Sequence, residues 1–327
     1  MTWPRQVPEM LRAGLVGLGV MGRHHMRLLS QLDGVEFVGV HDPALTGQES
    51  VNGHPVFKDL ESLIKAGLDY CVVAAPTAFH LDLGLALAAA GIHCLIEKPV
   101  APTHTEATQL VDAFDKAGLV GGVGHIERFN PALQAMRRKI EEGLLGEIYQ
   151  ISTRRQGPFP ARIADVGVVK DLATHDIDLT AWVAQSPYRD ISARTTHRSG
   201  RAHEDMVVAV GTLENGTIVN HVVNWLSPFK ERNTTVIGDK GSLVADTLTA
   251  DLTFYENGTV RGQWESVQAF RGVAEGDVTR FALSKIEPLL AEHLAFRDAV
   301  ATGEQSAIVT LRDGLAAVRI ADEMIAQ

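Results

Sequence analysis

The 327-residue chain is short of cysteine, of aromatic residues and of basic charge. Its two cysteines, Cys71 and Cys94, lie in the apolar segments DYCVVAAP and HCLIEKP. Two such thiols make neither a disulfide framework nor a CxxC metal site, and they read as buried free thiols in a reducing compartment. Lysine and arginine total 30 against 40 acidic residues, a net charge of −10. That excludes the broad basic face of a nucleic-acid or anionic-membrane binder and still permits a local anion site. Long hydrophobic runs are also missing. The longest candidate, Gly84 to Gly91, is short and alanine-rich, against the ~18–20 residues a membrane span requires. The opening MTWPRQVPEM lacks the apolar core of a signal peptide, so a cytoplasmic location is expected. Among 13 histidines there is no HExxH and no Cys/His set at ligand spacing, and the adjacent His24 and His25 diverge on a helix. No metal is expected.

With 45% hydrophobic and 21% charged residues, the composition is that of a globular protein, and ~150 residues per domain suggests two domains. The first 120 residues alternate apolar strands with helices. Strands are predicted at LRAGLVGLG, 35–42, 69–76, 92–99 and 119–125, and helices at 21–32, 80–90 and 106–117, the last two stopped by Gly91 and Gly118. This alternation implies βαβ units and a parallel sheet. From about residue 125 the pattern changes. A helix at 130–142 carries the basic patch Arg137-Arg138-Lys139. Strand-like runs follow at 147–155, 189–197, 206–213, 217–225, 233–246 and 252–260. ENGT occurs at both 214–217 and 256–259, and GDKG at 238–241, as turn signals for a large, mostly antiparallel sheet. The ENGT flanks differ, so no repeat is inferred. Residues 286–327 return to helix.

Gly17-Leu18-Gly19-Val20-Met21-Gly22 follows an apolar strand and opens a helix, and Asp42 lies 20 residues past Gly22 at the end of the second strand. In that context the three glycines allow, in turn, a tight turn, a close approach by a pyrophosphate and close packing of helix on sheet. The helix N-terminus supplies positive potential. A carboxylate at Asp42 can accept both hydroxyls of an adenine ribose and would repel a 2′-phosphate. Pro43 to Thr46 include no cation, so NAD is favoured over NADP. Ala75-Pro76-Thr77 close the third strand at the same sheet edge, and His80 either caps a helix beside the cofactor or has no role.

Two further elements carry chemistry. Glu97-Lys98-Pro99 ends the fourth strand; Pro99 fixes the backbone, and a lysine there either faces a cleft or is simply solvated. Asp171 and His175 are four residues apart in DLATHDID and share a helix face, as a general base with its carboxylate or as an ordinary surface pair.

Together, the glycine loop with Asp42, EKP at 97–99 and D-x-x-x-H at 171–175 resemble the Gfo/Idh/MocA oxidoreductases, over nearly the whole chain including EPLLAEHLAFRDAV. The resemblance implies an α/β protein: a Rossmann parallel sheet, then an α+β domain whose large, mostly antiparallel open sheet builds homodimers or homotetramers. Expected boundaries are 1–123 for the dinucleotide-binding domain, 124–285 for the substrate and oligomerisation domain, and 286–327 for helices packing back across both. It also implies that Lys98, Asp171 and His175 form a catalytic trio in a cleft, with Gly17, Gly19, Val20, Met21, Gly22, Asp42, Ala75, Pro76, Thr77, His80, Glu97 and Lys98 along the cofactor. GHIERFNPA (124–132), Arg155-Gln156-Gly157-Pro158 and DVGVVKDLATHDID (165–178) are similar to the branch that oxidises UDP-sugars at C3.

On that reading a sugar hydroxyl loses hydride to NAD. His175 or Lys98 takes the proton, Lys98 also stabilises alkoxide character, and Asp171 orients His175 or tunes Lys98. Substrate contacts are expected from Lys98, Glu127, Asn130, Arg155, Arg162 and His175. A diphosphate would draw on Arg128, Arg154, Arg155, Arg162 and Lys170, arginine suiting it by its bidentate fork, with Arg155 and Arg162 foremost because their segment leads into the helix of Asp171 and His175. Glu127 and Asn130 bind sugar hydroxyls or cap the following helix, while Asp165 and Asp176 serve the site or a helix N-terminus, with capping favoured. Competing readings are a dehydrogenase or ketoreductase of another sugar or inositol, an NAD-dependent glycosidase or epimerase that recycles its hydride, and a non-enzymatic regulator.

Overall fold

A computed structural model describes residues 10–45, 47–160, 166–258 and 275–327. The chain divides into two compact units. One comprises residues up to Ile126 with Leu289–Arg319; the other comprises Glu127–Pro288 with Ile320–Gln327.

The first unit begins with β1 (Leu11–Val16), α1 (Val20–Leu29) and β2 (Val35–His41). A short hairpin, β3 (Ser50–Val51) with β4 (His54–Phe57), leads to α2 (Leu60–Lys65) and β5 (Tyr70–Val73). Then come α3 (His80–Ala89), β6 (His93–Glu97), α4 (His104–Ala117) and β7 (Gly121–Gly124). The strands order as β3-β4-β2-β1-β5-β6-β7, parallel except for the β3–β4 pair. The sheet is parallel because helices cross between its strands and cover its faces, which is why β5 is buried at every residue. Cys71 and Cys94 are buried free thiols facing each other across β5 and β6. The hairpin and α2 interrupt the expected simple alternation. Helix α2 is only six residues long and owes its start to a capping box between Asp59 and Ser62.

Helix α7 (Pro288–Thr302) belongs to this unit, as does α8 (Leu311–Ile325) up to Arg319. A Cβ on Gly122 would stand 2.9 Å from the Phe296 ring, and one on Gly121 would stand 2.3 Å from Leu311. The glycines of β7 are therefore what let these helices press onto the sheet. Phe296 meets Tyr70 edge to face, with ring centroids 5.6 Å apart, and shares a core with Leu15, Leu29, Val40, Val72 and Leu95.

The second unit opens with α5 (Pro131–Glu141) and β8 (Ile148–Pro158). A π turn (Val169–Ala173) runs directly into α6 (Thr174–Ala184). Its sheet is completed by β9 (Tyr188–Thr196), β10 (Met206–Leu213), β11 (Ile218–Asn224), β12 (Leu226–Gly238), β13 (Gly241–Asp246), β14 (Asp251–Asn257) and β15 (Glu275–Arg280). The order is β15-β14-β13-β12-β8-β11-β10-β9, antiparallel but for the β8–β11 pair. GDKG makes the β12–β13 turn, and ENGT at 214–217 makes the β10–β11 turn. Burial alternates strictly along β10 and β13, leaving Val208 and Val210 exposed. Among the described residues no helix is long and apolar enough to cross a membrane, and no group of His, Cys, Asp or Glu is arranged to hold a metal ion.

Candidate active site

The glycine loop joins β1 to α1 at the carboxyl edge of the parallel sheet. Gly17 has φ +90°, and a Cβ there would stand 2.6 Å from the Ala74 carbonyl; a Cβ on Gly22 would stand 2.0 Å from the Gly17 carbonyl. Both positions exclude a side chain for internal reasons. Gly19 differs, since a Cβ there would meet nothing within 4 Å. Its bareness leaves space outside the protein, where a ligand would lie. Helix α1 starts at this residue with no side-chain cap and no acid in its first turn, so its leading N–H groups remain available to an anion. Val20 and Met21 form that first turn.

Asp42 accepts the Leu18 N–H at 2.6 Å and the Ala44 N–H at 2.8 Å, which ties the end of β2 to the glycine loop. It lines a cavity of about 420 Å³ with Leu18, Arg23, Met26, Leu45 and Asn52. A nucleoside fits this donor set and volume, with the pyrophosphate on the α1 N-terminus.

The EKP corner lies at the same sheet edge. Glu97 ends β6, buried, and its Oε2 accepts the Lys98 N–H at 3.1 Å. The Lys98–Pro99 peptide is cis. His80, buried at the start of α3, reaches both neighbouring corners, with Nδ1 3.0 Å from the Pro99 carbonyl and Nε2 2.9 Å from the Ala75 carbonyl. Burial pushes its pKa down against those two carbonyls, which favour protonation. His80 thus fastens the Ala75-Pro76-Thr77 corner to the one that carries Lys98.

In the second unit, Asp171 lies in the π turn and His175 in the first turn of α6, both buried. Single π turns in helices are frequent at functional sites. Glu204 holds the start of this helix. Its Oε1 accepts the Val169 N–H at 3.0 Å, its backbone carbonyl accepts the Val168 N–H at 3.0 Å, and a Cβ on Gly167 would fall 2.0 Å from its carboxylate. Two arginines grip the following turn. Arg128 donates to both oxygens of Asp178, at 2.7 and 2.6 Å. Arg155 donates to Asp176 and to Glu127, each at 2.9 Å. Burial raises the Glu127 pKa and the Arg155 guanidinium more than offsets this, leaving the carboxyl below its ordinary value.

Residues 11–125 match the oxidoreductase family with an NAD-binding Rossmann fold, and residues 133–244 match the GFO/IDH/MocA C-terminal domain. The chain belongs to the Gfo/Idh/MocA oxidoreductase family. It is an NAD-binding oxidoreductase acting on CH–OH groups. It is 28% identical to the UDP-N-acetylglucosamine 3-dehydrogenase of Acidithiobacillus ferrooxidans over 89% of each chain. The solved structure of that enzyme superposes with a TM-score of 0.82, covering 97% of both chains at 25% identity. An inositol 2-dehydrogenase of Saccharopolyspora erythraea is 30% identical over 64% of this chain and 65% of its own. The WlbA dehydrogenase of Bordetella pertussis, solved with NADH and UDP-GlcNAcA, shares the fold at a TM-score of 0.78, with 23% identity and coverage of 97% and 96%.

Within this Gfo/Idh/MocA protein the expected cations are mostly committed to acids. Arg128 and Arg155 form the pairs above, and Lys170 bonds Asp322 at 2.9 Å. Arg154 is more exposed, with its guanidinium 4.0 Å from Glu231. Arg162 and Asp165 lie outside the described residues. Asn130 caps α5, accepting the Ala132 N–H at 3.0 Å while its amide donates to the Thr247 carbonyl. Asp176 does not cap a helix as expected: α6 continues directly from the π turn, has no N-terminus to cap, and Asp176 pairs with Arg155 instead. Sequence reading missed Arg23, which lies in the first helix rather than after β2, and Glu204, whose 35-residue separation from Val169 leaves no local pattern.

Proposed function

We propose that this chain oxidises a secondary hydroxyl, at C3, of a nucleotide-activated amino sugar of the UDP-GlcNAc type. The observation that carries the reading is the extent of the likeness. The similarity to the UDP-N-acetylglucosamine 3-dehydrogenase spans both units, whereas that to the inositol dehydrogenase covers about two thirds of the chain. On the same reading the second unit takes the substrate, so full-length likeness bears on it directly.

NAD, held by Gly17, Gly19, Val20, Met21, Gly22 and Asp42, supplies the hydride acceptor. Lys98 donates a hydrogen bond to the reacting oxygen and stabilises its developing negative charge. His175 accepts the hydroxyl proton, and Asp171, one helical turn before it, orients the ring. Glu204, Arg128 and Arg155 keep that helix in place. Asp42 disfavours a cofactor bearing a 2′-phosphate.

The test is NADH formation at 340 nm with UDP-GlcNAc, UDP-GlcNAcA, free hexoses and myo-inositol. Turnover with a UDP-sugar is expected, and Lys98→Ala should lower kcat by about 10²–10⁴-fold. Strong turnover with myo-inositol and none with UDP-sugars would replace the substrate and leave the family chemistry standing. Product formation without net absorbance change would point to internal hydride recycling.

A further inference from the structure

Behind the Lys98 corner runs a buried chain of three polar side chains contributed by three elements of the first unit. Glu97 ends β6, and its Oε1 lies 3.0 Å from Nε2 of His25 on α1. Nδ1 of His25 lies 2.9 Å from Nε2 of His293 on α7. Both imidazoles are buried, and the rings meet edge to face with centroids 5.1 Å apart. Glu97 leaves little room for error, since a Cβ on Gly124 would stand 3.0 Å from its carboxyl carbon. Its second oxygen accepts the Lys98 N–H, so the chain ends on the backbone that carries the lysine.

The geometry sets one proton of this chain. An ionised carboxylate only accepts, so His25 must carry hydrogen on Nε2. Between His25 Nδ1 and His293 Nε2 one nitrogen donates and the other accepts. The remaining nitrogen, His293 Nδ1, has no hydrogen-bond partner among the described residues. Burial holds His293 neutral, its pKa pushed down to about 3. Burial pulls Glu97 up, and the His25 hydrogen bond brings it below its ordinary value. Leucines could fill this volume without desolvating three polar groups, so the chain has a purpose beyond packing.

We propose that His25 and His293 are positioning residues for Lys98. His293 holds the His25 ring, His25 aims the Glu97 carboxylate, and Glu97 fixes the backbone from which the lysine side chain departs. This rests on the reading that Lys98 touches the reacting oxygen.

Two measurements test it. In His25→Leu and His293→Leu, kcat should fall about 100-fold, as expected for a misplaced reacting group, while KM and the NAD Kd stay within about threefold. His293→Gln, whose amide can donate or accept in place of the imidazole Nε2, should restore kcat to within about fivefold of wild type. Independently, nitrogen NMR of the histidine-labelled wild-type enzyme should show His25 carrying hydrogen on Nε2. Wild-type kcat in His293→Leu, or a His25 with no hydrogen on Nε2, would overturn the proposal. If the leucine variants do not fold, the NMR assignment alone decides. Full turnover by Lys98→Ala would instead remove the reading of Lys98, whatever the imidazoles show.

Discussion

The two units hold their functional side chains by different physics. In the first, placement is by backbone and by buried imidazoles: glycines admit close approach, and His25, His80 and His293 tie β6, α1, α3 and α7 together. In the second, placement is by buried charge: Arg128 grips Asp178, and Arg155 grips Asp176 and Glu127. A parallel sheet ends in loops and helix termini, where small residues decide what fits. An antiparallel sheet with a helix on its face must anchor that helix by side chains. The difference teaches that the glycine positions of the first unit should fail on changes of volume, and the arginine pairs of the second on changes of charge.

The sharpest break is Arg128→Met. It leaves Asp178, whose side chain is 2% exposed, charged and unpaired. Loss of one partner from a buried pair should cost about 3–5 kcal/mol. Chemical denaturation would measure it, and a loss below about 1 kcal/mol, the worth of an exposed pair, would dissolve the contrast between the units.

Acid comes next. His221 in the second unit is held by Thr153 and Tyr188, at 2.7 and 2.8 Å, and burial pushes its pKa down to about 4. Hydroxyls can donate or accept, so this histidine needs no charge. Unfolded, it titrates near 6.5, so between about pH 6.5 and 4 the unfolded chain binds the extra proton. Stability is therefore full above that window and falls as the pH drops through it, by roughly 3 kcal/mol in all. His221→Gln, which cannot be protonated there, should flatten the acid limb of a stability-against-pH curve. An unchanged limb would assign the sensitivity elsewhere.

The smallest effect sharpens the first unit. Gly19→Ala adds a methyl that meets no protein atom within 4 Å. Thermal stability should hold, while NAD affinity measured by titration weakens about tenfold. Gly22→Ala, with the Gly17 carbonyl 2.0 Å from the new carbon, should lose stability as well. Equal behaviour of the two variants would mean that Gly19 serves the fold rather than the ligand.

Much of this was legible in the residues. The alternation of apolar runs and helices, the glycine loop, Asp42 and the two sheet classes follow from local periodicity and local sterics. The β3–β4 hairpin and α2 were not, because two- to six-residue elements are too short to carry a period. The Asp171–His175 spacing announced a shared helix face, but nothing in it announced the π turn, which appears only when Glu204 and the ion pairs hold the helix start. The cations around residues 128–170 all looked suited to bind phosphate. Their acidic partners lie 21 to 152 residues away, and no sequence window contains both.

By itself, then, the sequence determined the elements, their classes and the dinucleotide loop, because those depend on steric rules that act over a few residues. Only the tertiary structure decided which charges are neutralised internally, which histidines stay neutral and what stands behind Lys98. Those outcomes depend on desolvation and on partners that folding brings together from distant parts of the chain.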